Sequence, residues 1–247
     1  ALHTIGARGG PPAIPQNILA DYAAGGLHAA VGILSALMAR GHTGKGQFVD
    51  ISMTDGVIYL LSSLASEYFR EGVTPTRGDT KLSGAAPYYA VYECSDMKYL
   101  SLGCIEPHFW EPLCIAIGRR DFVPFQHDES KYPEMSAYLT ELFHTKTRDE
   151  WVAFLSNAGD IAVSPVNSLD EVFLDPQVQH REHPLLVGTF EDKPVYQIGI
   201  GPKLSDTPGT VRSLGPVTGE HTQEILARLG FPNSRIQKLV KDGTVSI

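Results

Sequence analysis

The sequence predicts an α/β protein, with a layered helix–strand–helix region followed by a smaller α+β block. Two observations carry that class. Apolar residues at helical spacing flank the short alternating segment Gln47–Met53, all within about fifty residues, which is how part of a layered α/β domain reads. Farther on, two aromatic-rich runs bracket Ser95-Asp96-Met97-Lys98 as the arms of a β-hairpin, with helical patterns after them. The 247 residues suffice for one large domain or two smaller ones, and 43% hydrophobic with 19% charged residues is ordinary for a soluble globular chain.

Residues 1–17 form a Gly/Pro-rich connector. Leu27, Ala30, Val31, Leu34, Leu37 and Met38 then follow the rhythm of a buried helical face, with a stop expected at Arg40-Gly41. His42-Thr43-Gly44-Lys45-Gly46 is a turn; it lacks the spacing of a phosphate loop and a strand before it. In Gln47–Met53, Val49, Ile51 and Met53 share one face, and Phe48, Asp50 and Ser52 the other. Thr54 is the expected cap of a helix over 55–70, and Gly72–Ala85 reads as a linker.

The hairpin arms are Tyr88–Cys94 and Tyr99–Cys104. Pro107 suits the first position of a helix, which places Glu106 at its cap, and Pro112 keeps that helix short or kinked. Helices follow over 133–145 and 148–157, the second opened by the capping box Thr147…Glu150. A short strand is expected at Ile161–Val163, and the capping box Ser168…Glu171 opens a helix that Asp175-Pro176 closes. Strands Leu185–Phe190 and Val195–Ile200, an irregular run to Pro216, and helices over 223–229 and 233–241 complete the chain. The boundaries drawn are 1–85, 86–180 and 181–247, the last being a return segment with C-terminal helices.

A net charge of −8 without a Lys/Arg cluster disfavours nucleic-acid binding, which needs a concentrated basic face. The apolar stretch near residues 27–39, broken by His28 and Ser35, reads as too short to span a bilayer. Three cysteines without C-x-x-C spacing read as buried thiols of a reducing, cytoplasmic compartment. No histidine spacing suggests a metal site. Ala1 runs straight into a loop as if in the middle of a protein, so a preceding segment is expected, absent from this chain or present as a separate one.

The chemistry-bearing candidates are two carboxylates at helix entries. Asp21 stands before a helix among Tyr22, Ala23, Ala24, Gly25 and Gly26, where small residues allow close approach of a backbone or ligand. Glu106 opens the Pro107 helix. Each reads either as an N-cap or as half of an acid/base pair meeting in a cleft. His108 reads more readily as a satisfied histidine than as a catalyst.

Six ordered segments carry a resemblance: Asn17-Ile-Leu-Ala-Asp21-Tyr-Ala-Ala-Gly-Gly26, Gly44–Asp50, Gly84–Tyr89, Gly103–Phe109, Leu169–Gln177 and Gly219–Thr222. Together they resemble the family III CoA-transferases of the CaiB/BaiF type, and within them the α-methylacyl-CoA racemase branch. The resemblance implies a Rossmann-like large domain built from both ends of the chain and incomplete here, a small central domain, and an interlocked homodimer. It implies Asp21 as the active-site aspartate, Glu106 as support for a catalytic histidine, and Asn17, Gly25 and Gly26 near the acyl thioester. Gly103-Cys104-Ile105-Glu106, standing where the formate and oxalate transferases carry a glycine-rich loop, favours the racemase branch. The histidine and most residues that grip the CoA phosphates would lie upstream of Ala1. Coenzyme A enters as part of the acyl-CoA substrate, with no other cofactor and no metal expected.

Overall fold

The computed structural model describes all 247 residues, as two compact units, Ala1–Val166 and Asn167–Ile247. The first unit begins with a loop and enters a π-helix, Ile18–Leu27, that continues directly into α1 (His28–Thr43). Two sequence expectations change here. The helix starts nine residues before Leu27, so Asp21 lies in its first turn and Asn17, not Asp21, is the N-cap residue. The stop falls at Gly44, whose φ of 72° terminates the helix in the left-handed conformation that glycine tolerates best. The helical run Ile18–Thr43, 26 residues, is long and apolar enough to cross a membrane by length and composition, where the sequence reading had a stretch too short. The core helix of a layered domain passes the same test.

No residue of α1 is buried, although its apolar spacing predicts a core face. Leu27, Val31, Leu34 and Met38 are each more than 60% exposed. Residues 47–52 are unpaired and Met53 already belongs to the next helix: residues 46–51 make no backbone–backbone hydrogen bond, so the strand expected over Gln47–Met53 is not formed. A strand needs a neighbour about 4.8 Å away, and none runs beside it. Its face pattern survives, since Val49 and Ile51 pack on Gly32 of α1 while Phe48 stands 91% exposed. The expected helix over 55–70 is two helices, α2 (Met53–Leu60) and α3 (Ser62–Glu71), broken at Leu61. Ser52 rather than Thr54 caps α2, accepting from the Asp55 N–H at 3.3 Å.

The N-terminal loop is tied to the linker. Arg77 Nε donates to the Gly10 carbonyl at 2.5 Å and its Nη1 to that of His3 at 3.1 Å, and Arg8 pairs with Asp79 at 2.6 Å.

Past the linker lies the hydrophobic core. Strands β1 (Val91–Glu93), β2 (Tyr99–Leu102) and β3 (Val163–Pro165) form an antiparallel sheet in that order, with Tyr92 opposite Leu100 and Leu102 opposite Val163. The third strand sits two residues beyond its predicted place. Helices α4 (Pro107–Ala116), α5 (Tyr132–Phe143) and α6 (Arg148–Ala158) supply Trp110, Leu113, Met135, Leu139, Phe143, Trp151 and Leu155 to the same core as Tyr88 and Leu100. Each such buried side chain contributes about 1.5–3 kcal/mol. The Thr147 capping box forms as expected: the Glu150 N–H donates to Thr147 Oγ1 at 3.4 Å and the Thr147 N–H to Glu150 Oε2 at 2.9 Å. Arg148, 4% exposed, fastens the end of the sheet by donating from Nη1 to the Val166 carbonyl at 3.1 Å, while its N–H donates to Asp96 Oδ1 at 3.2 Å.

The second unit holds α7 (Leu169–Val172), capped by Ser168 and Glu171, and α8 (Pro176–His180). Asp175-Pro176 does more than close α7: the Asp175 carboxylate accepts from the Gln177 and Val178 N–H groups and so opens α8. Strands β4 (Leu185–Phe190) and β5 (Lys193–Gln197) form a hairpin whose turn residues Glu191 and Asp192 both have positive φ. Helices α9 (Thr222–Arg228) and α10 (Asn233–Lys241) end the chain.

Candidate functional site

Asn17, Asp21, Gly25 and Gly26 all lie on or at the start of the π-helix. The backbone carbonyl of Asn17 accepts from the N–H groups of Asp21 and Tyr22, both at 3.2 Å, and the second of these bonds is the i→i+5 closure of a π-turn. Such turns are rare and concentrate at functional sites. The Asp21 side chain is exposed and makes no hydrogen bond or ion pair, so its carboxylate is free to act on a ligand. Asn17 is likewise exposed, with no side-chain cap bond.

The small residues that follow have a packing role. A β-carbon at Gly25 would meet the Ala20 carbonyl at 3.2 Å and Met53 Cγ at 3.4 Å. Fully buried Ala24 lies against Gly56, where α2 crosses the π-helix. The backbone that approaches this small-residue run within the chain is therefore that of α2. His28 Nδ1 lies 3.1 Å from the Ala24 carbonyl, and its ring stands edge-on to Tyr59 at 5.6 Å. Gly26 remains exposed.

Glu106 occupies the N-cap position of α4, in extended conformation, and Pro107 is the first helical residue as the sequence predicts. The capping is by backbone alone: the Glu106 carbonyl accepts from Phe109 and Trp110, and its carboxylate is exposed and makes no cap bond. The segment before it is tied down by hydrogen bonds. Gly103 N–H donates to Ala162, Cys104 N–H to Tyr88, and Gln126 Nε2 to the carbonyls of Cys104 at 3.0 Å and Ile105 at 2.8 Å. Gln126, 5% exposed, is a positioning residue that sequence reading missed, because a lone glutamine in a turn-rich run carries no signal. His108 is exposed, with its ring 4.0 Å from that of Phe109.

Thus the structure groups Asn17, Asp21, Gly25 and Gly26, and sets Glu106 on a separate element; no hydrogen bond or ion pair joins the two carboxylates. Burial pushes the Cys104 thiol up to about 11 and the Cys114 thiol up to about 12, so both are protonated at neutral pH and neither is a nucleophile there. No group of three His, Cys, Asp or Glu side chains is placed to hold a metal ion.

Known proteins give this arrangement a family. The model of CoA-transferase family III matches residues 1–222. The chain is 36% identical over 245 residues to the α-methylacyl-CoA racemase of Homo sapiens, spanning 98% of this chain and 62% of that protein. It is 30% identical over 259 residues to an acyl-CoA transferase of Fusarium pseudograminearum, spanning 99% of this chain and 54% of the relative. Among solved structures, a CaiB/BaiF family protein of Brucella suis superposes with a TM-score of 0.75 at 24% identity, covering 92% of this chain and 60% of the other. The chain therefore spans less than two thirds of the length of these relatives. It belongs to CoA-transferase family III.

Proposed function

We propose that this chain carries the aspartate half of an acyl-CoA racemase or epimerase that inverts the α-carbon of 2-methylacyl-CoA thioesters. The reading rests on one observation above others: Asp21, exposed and without a partner, sits in the first turn of a π-helix, in a chain 36% identical to a racemase across 98% of its length. A thioester acidifies its α-hydrogen, so a carboxylate on one face and an imidazole on the other invert the carbon through an enolate. Asp21 serves one face. The imidazole comes from outside this chain, with Glu106 orienting it. N–H groups of the first helical turn favour the enolate oxygen. Asn17, Gly25 and Gly26 line the acyl thioester, and coenzyme A arrives with the substrate.

The acting form, in this proposal, is a cytoplasmic, interlocked homodimer whose Rossmann-like large domain is completed by an N-terminal segment or chain. Exposure of α1, α2 and the unpaired residues 47–52 supports that need, since apolar area on this scale marks an interaction surface. With the N-terminal partner supplied, deuterium from solvent should enter the α position of a 2-methylacyl-CoA, and Asp21→Asn should slow it at least about a hundredfold. Equal exchange by Asp21→Asn and wild type refutes the role of Asp21.

A second reading is favoured by the similarity to an acyl-CoA transferase: Asp21 attacks the thioester as a nucleophile and CoA passes between carboxylic acids through an aspartyl thioester. Trapping a covalent adduct on Asp21 after mixing with acyl-CoA supports this reading over the first. A third, an inactive half-protein that serves assembly, predicts complex formation with the N-terminal partner by gel filtration but no turnover.

A further inference from the structure

Every buried carbonyl of a helix needs a donor, and the register of the ladder decides which N–H supplies it. In the π-helix the bonds span five residues, as from the Tyr22 N–H to the Asn17 carbonyl; in α1 they span four, as from the Gly44 N–H to that of Arg40. Where one ladder gives way to the other, a carbonyl is passed over. Here it is that of Ala24. The His28 N–H is directed at the Ala23 and Gly25 carbonyls and skips the one four residues back, its partner in an ordinary α-helix.

Ala24 is fully buried, so a carbonyl left unmet there is costly. The imidazole of His28 makes up the deficit: Nδ1 lies 3.1 Å from the Ala24 oxygen. A carbonyl oxygen only accepts, so Nδ1 carries the proton and, in the neutral ring, Nε2 carries the lone pair. That is the reverse of the tautomer a free histidine favours in water. Two features of α2 hold the ring in place. Tyr59 meets it edge-on at 5.6 Å, and Gly56 lacks the β-carbon that would lie 2.7 Å from Nδ1.

A side chain inserted into the ladder in this way acts as a wedge. Without it, the near donor for the Ala24 carbonyl is the His28 N–H, and taking that donor turns five-residue closures into four-residue ones. Asp21 lies on the N-terminal side of the junction. The conversion would carry it about 100° around the axis relative to α1, the angle of one helical residue. We propose that His28 is a positioning residue for Asp21: its Nδ1–H takes the carbonyl that the backbone skips and so keeps the helix in the π form that sets the carboxylate's direction. The consequence for turnover rests on the role proposed for Asp21; the wedge itself does not.

The wedge is tested on the full chain by ring-nitrogen NMR near about pH 8.5, where an ordinary imidazole is neutral. His28 should show Nδ1 protonated and Nε2 bare; a bare Nδ1 overturns the proposal without any substitution. His28→Leu should move the amide resonances of Tyr22–Gly26. His28→Asn, whose amide can donate to the same carbonyl, should leave them near wild type. His42→Leu is the control: it removes the like contact from His42 Nδ1 to the Met38 carbonyl at 2.9 Å, inside α1 and away from Asp21. No movement in His28→Leu, or movement as large in His42→Leu, overturns the proposal. With the N-terminal partner supplied, His28→Leu should lower kcat for deuterium entry about ten- to a hundredfold with KM within about twofold, and His28→Asn should recover most of it. Unchanged kcat in His28→Leu, while Asp21→Asn is slowed, overturns the positioning role. If Asp21→Asn itself exchanges as fast as wild type, the assignment of Asp21 falls, and the tautomer and amide resonances still decide the wedge.

Discussion

Gly56 of α2 lies so close to Ala24 of the π-helix that a β-carbon on Gly56 would sit 2.7 Å from the Ala24 Cβ and 2.8 Å from its Cα. The same added atom would meet His28 Nδ1 at 2.7 Å. The crossing holds the turn that carries Asp21, and it tolerates no side chain. Gly56→Ala should therefore push the two helices apart and cost about 1–3 kcal/mol by overpacking. Thermal melting reads this as a fall of roughly 2–4 °C per kcal/mol for a chain of this size. A melting temperature within a degree of wild type would show that the contact is soft.

Gln126 plays the matching part for Glu106. Its side-chain amide satisfies the Cys104 and Ile105 carbonyls from a buried position. Gln126→Leu keeps much of the volume but orphans both acceptors, at about 1–3 kcal/mol for each that stays dry. Hydrogen exchange across residues 103–106 should quicken along with the loss of stability. Unchanged exchange there would mean that the strand contacts to Tyr88 and Ala162 suffice alone.

Alkaline pH should unfold the core through its thiols. The folded state holds Cys104 up to about 11 and Cys114 up to about 12 by burial, whereas unfolded thiols ionise near about 8.5. Above that lower value the unfolded chain has released protons that the folded chain keeps, so stability falls as pH rises and levels off only past the folded values. It is fully present at pH 7. Tyr92 and Tyr132, also pushed up by burial, act in the same direction. Urea midpoints should drop between pH 8 and pH 10.5, and a Cys104→Ala/Cys114→Ala chain should show a shallower drop. An identical slope in that variant would assign the effect to other groups.

Thr147→Ala removes the hydroxyl that accepts the Glu150 N–H at the start of α6. About 1 kcal/mol should be lost, as for other N-caps, and Thr147→Ser should restore it. Chemical denaturation of the three chains checks both halves of the expectation; an alanine chain as stable as wild type would mean that the reciprocal Glu150 bond does the capping.

Local rules were legible wherever local chemistry settles the outcome. The capping boxes at Thr147 and Ser168, Pro107 as a first helical residue, the hairpin around Ser95–Lys98 and the two C-terminal helices follow from side chains within four residues of one another. Their energies do not depend on distant partners. The six motifs likewise placed the chain in its family, because identity of residues survives whatever the surroundings.

Tertiary structure decided the rest. Helical spacing cannot say whether an apolar face meets a neighbour, and α1 meets too little to bury any residue. Alternation in Gln47–Met53 marks two faces but cannot supply the edge partner that a strand requires. The π-helix that takes in Asp21 also carries Ala24, against which α2 packs Gly56, a contact between positions 32 residues apart. The Tyr88 hydroxyl meets Tyr132 and His127 across a similar separation in sequence, and only packing reveals that they touch. Sequence determines what each segment prefers and which chemistry it carries; the folded chain decides which preferences are satisfied, because burial and strand pairing are properties of pairs of segments and not of either alone.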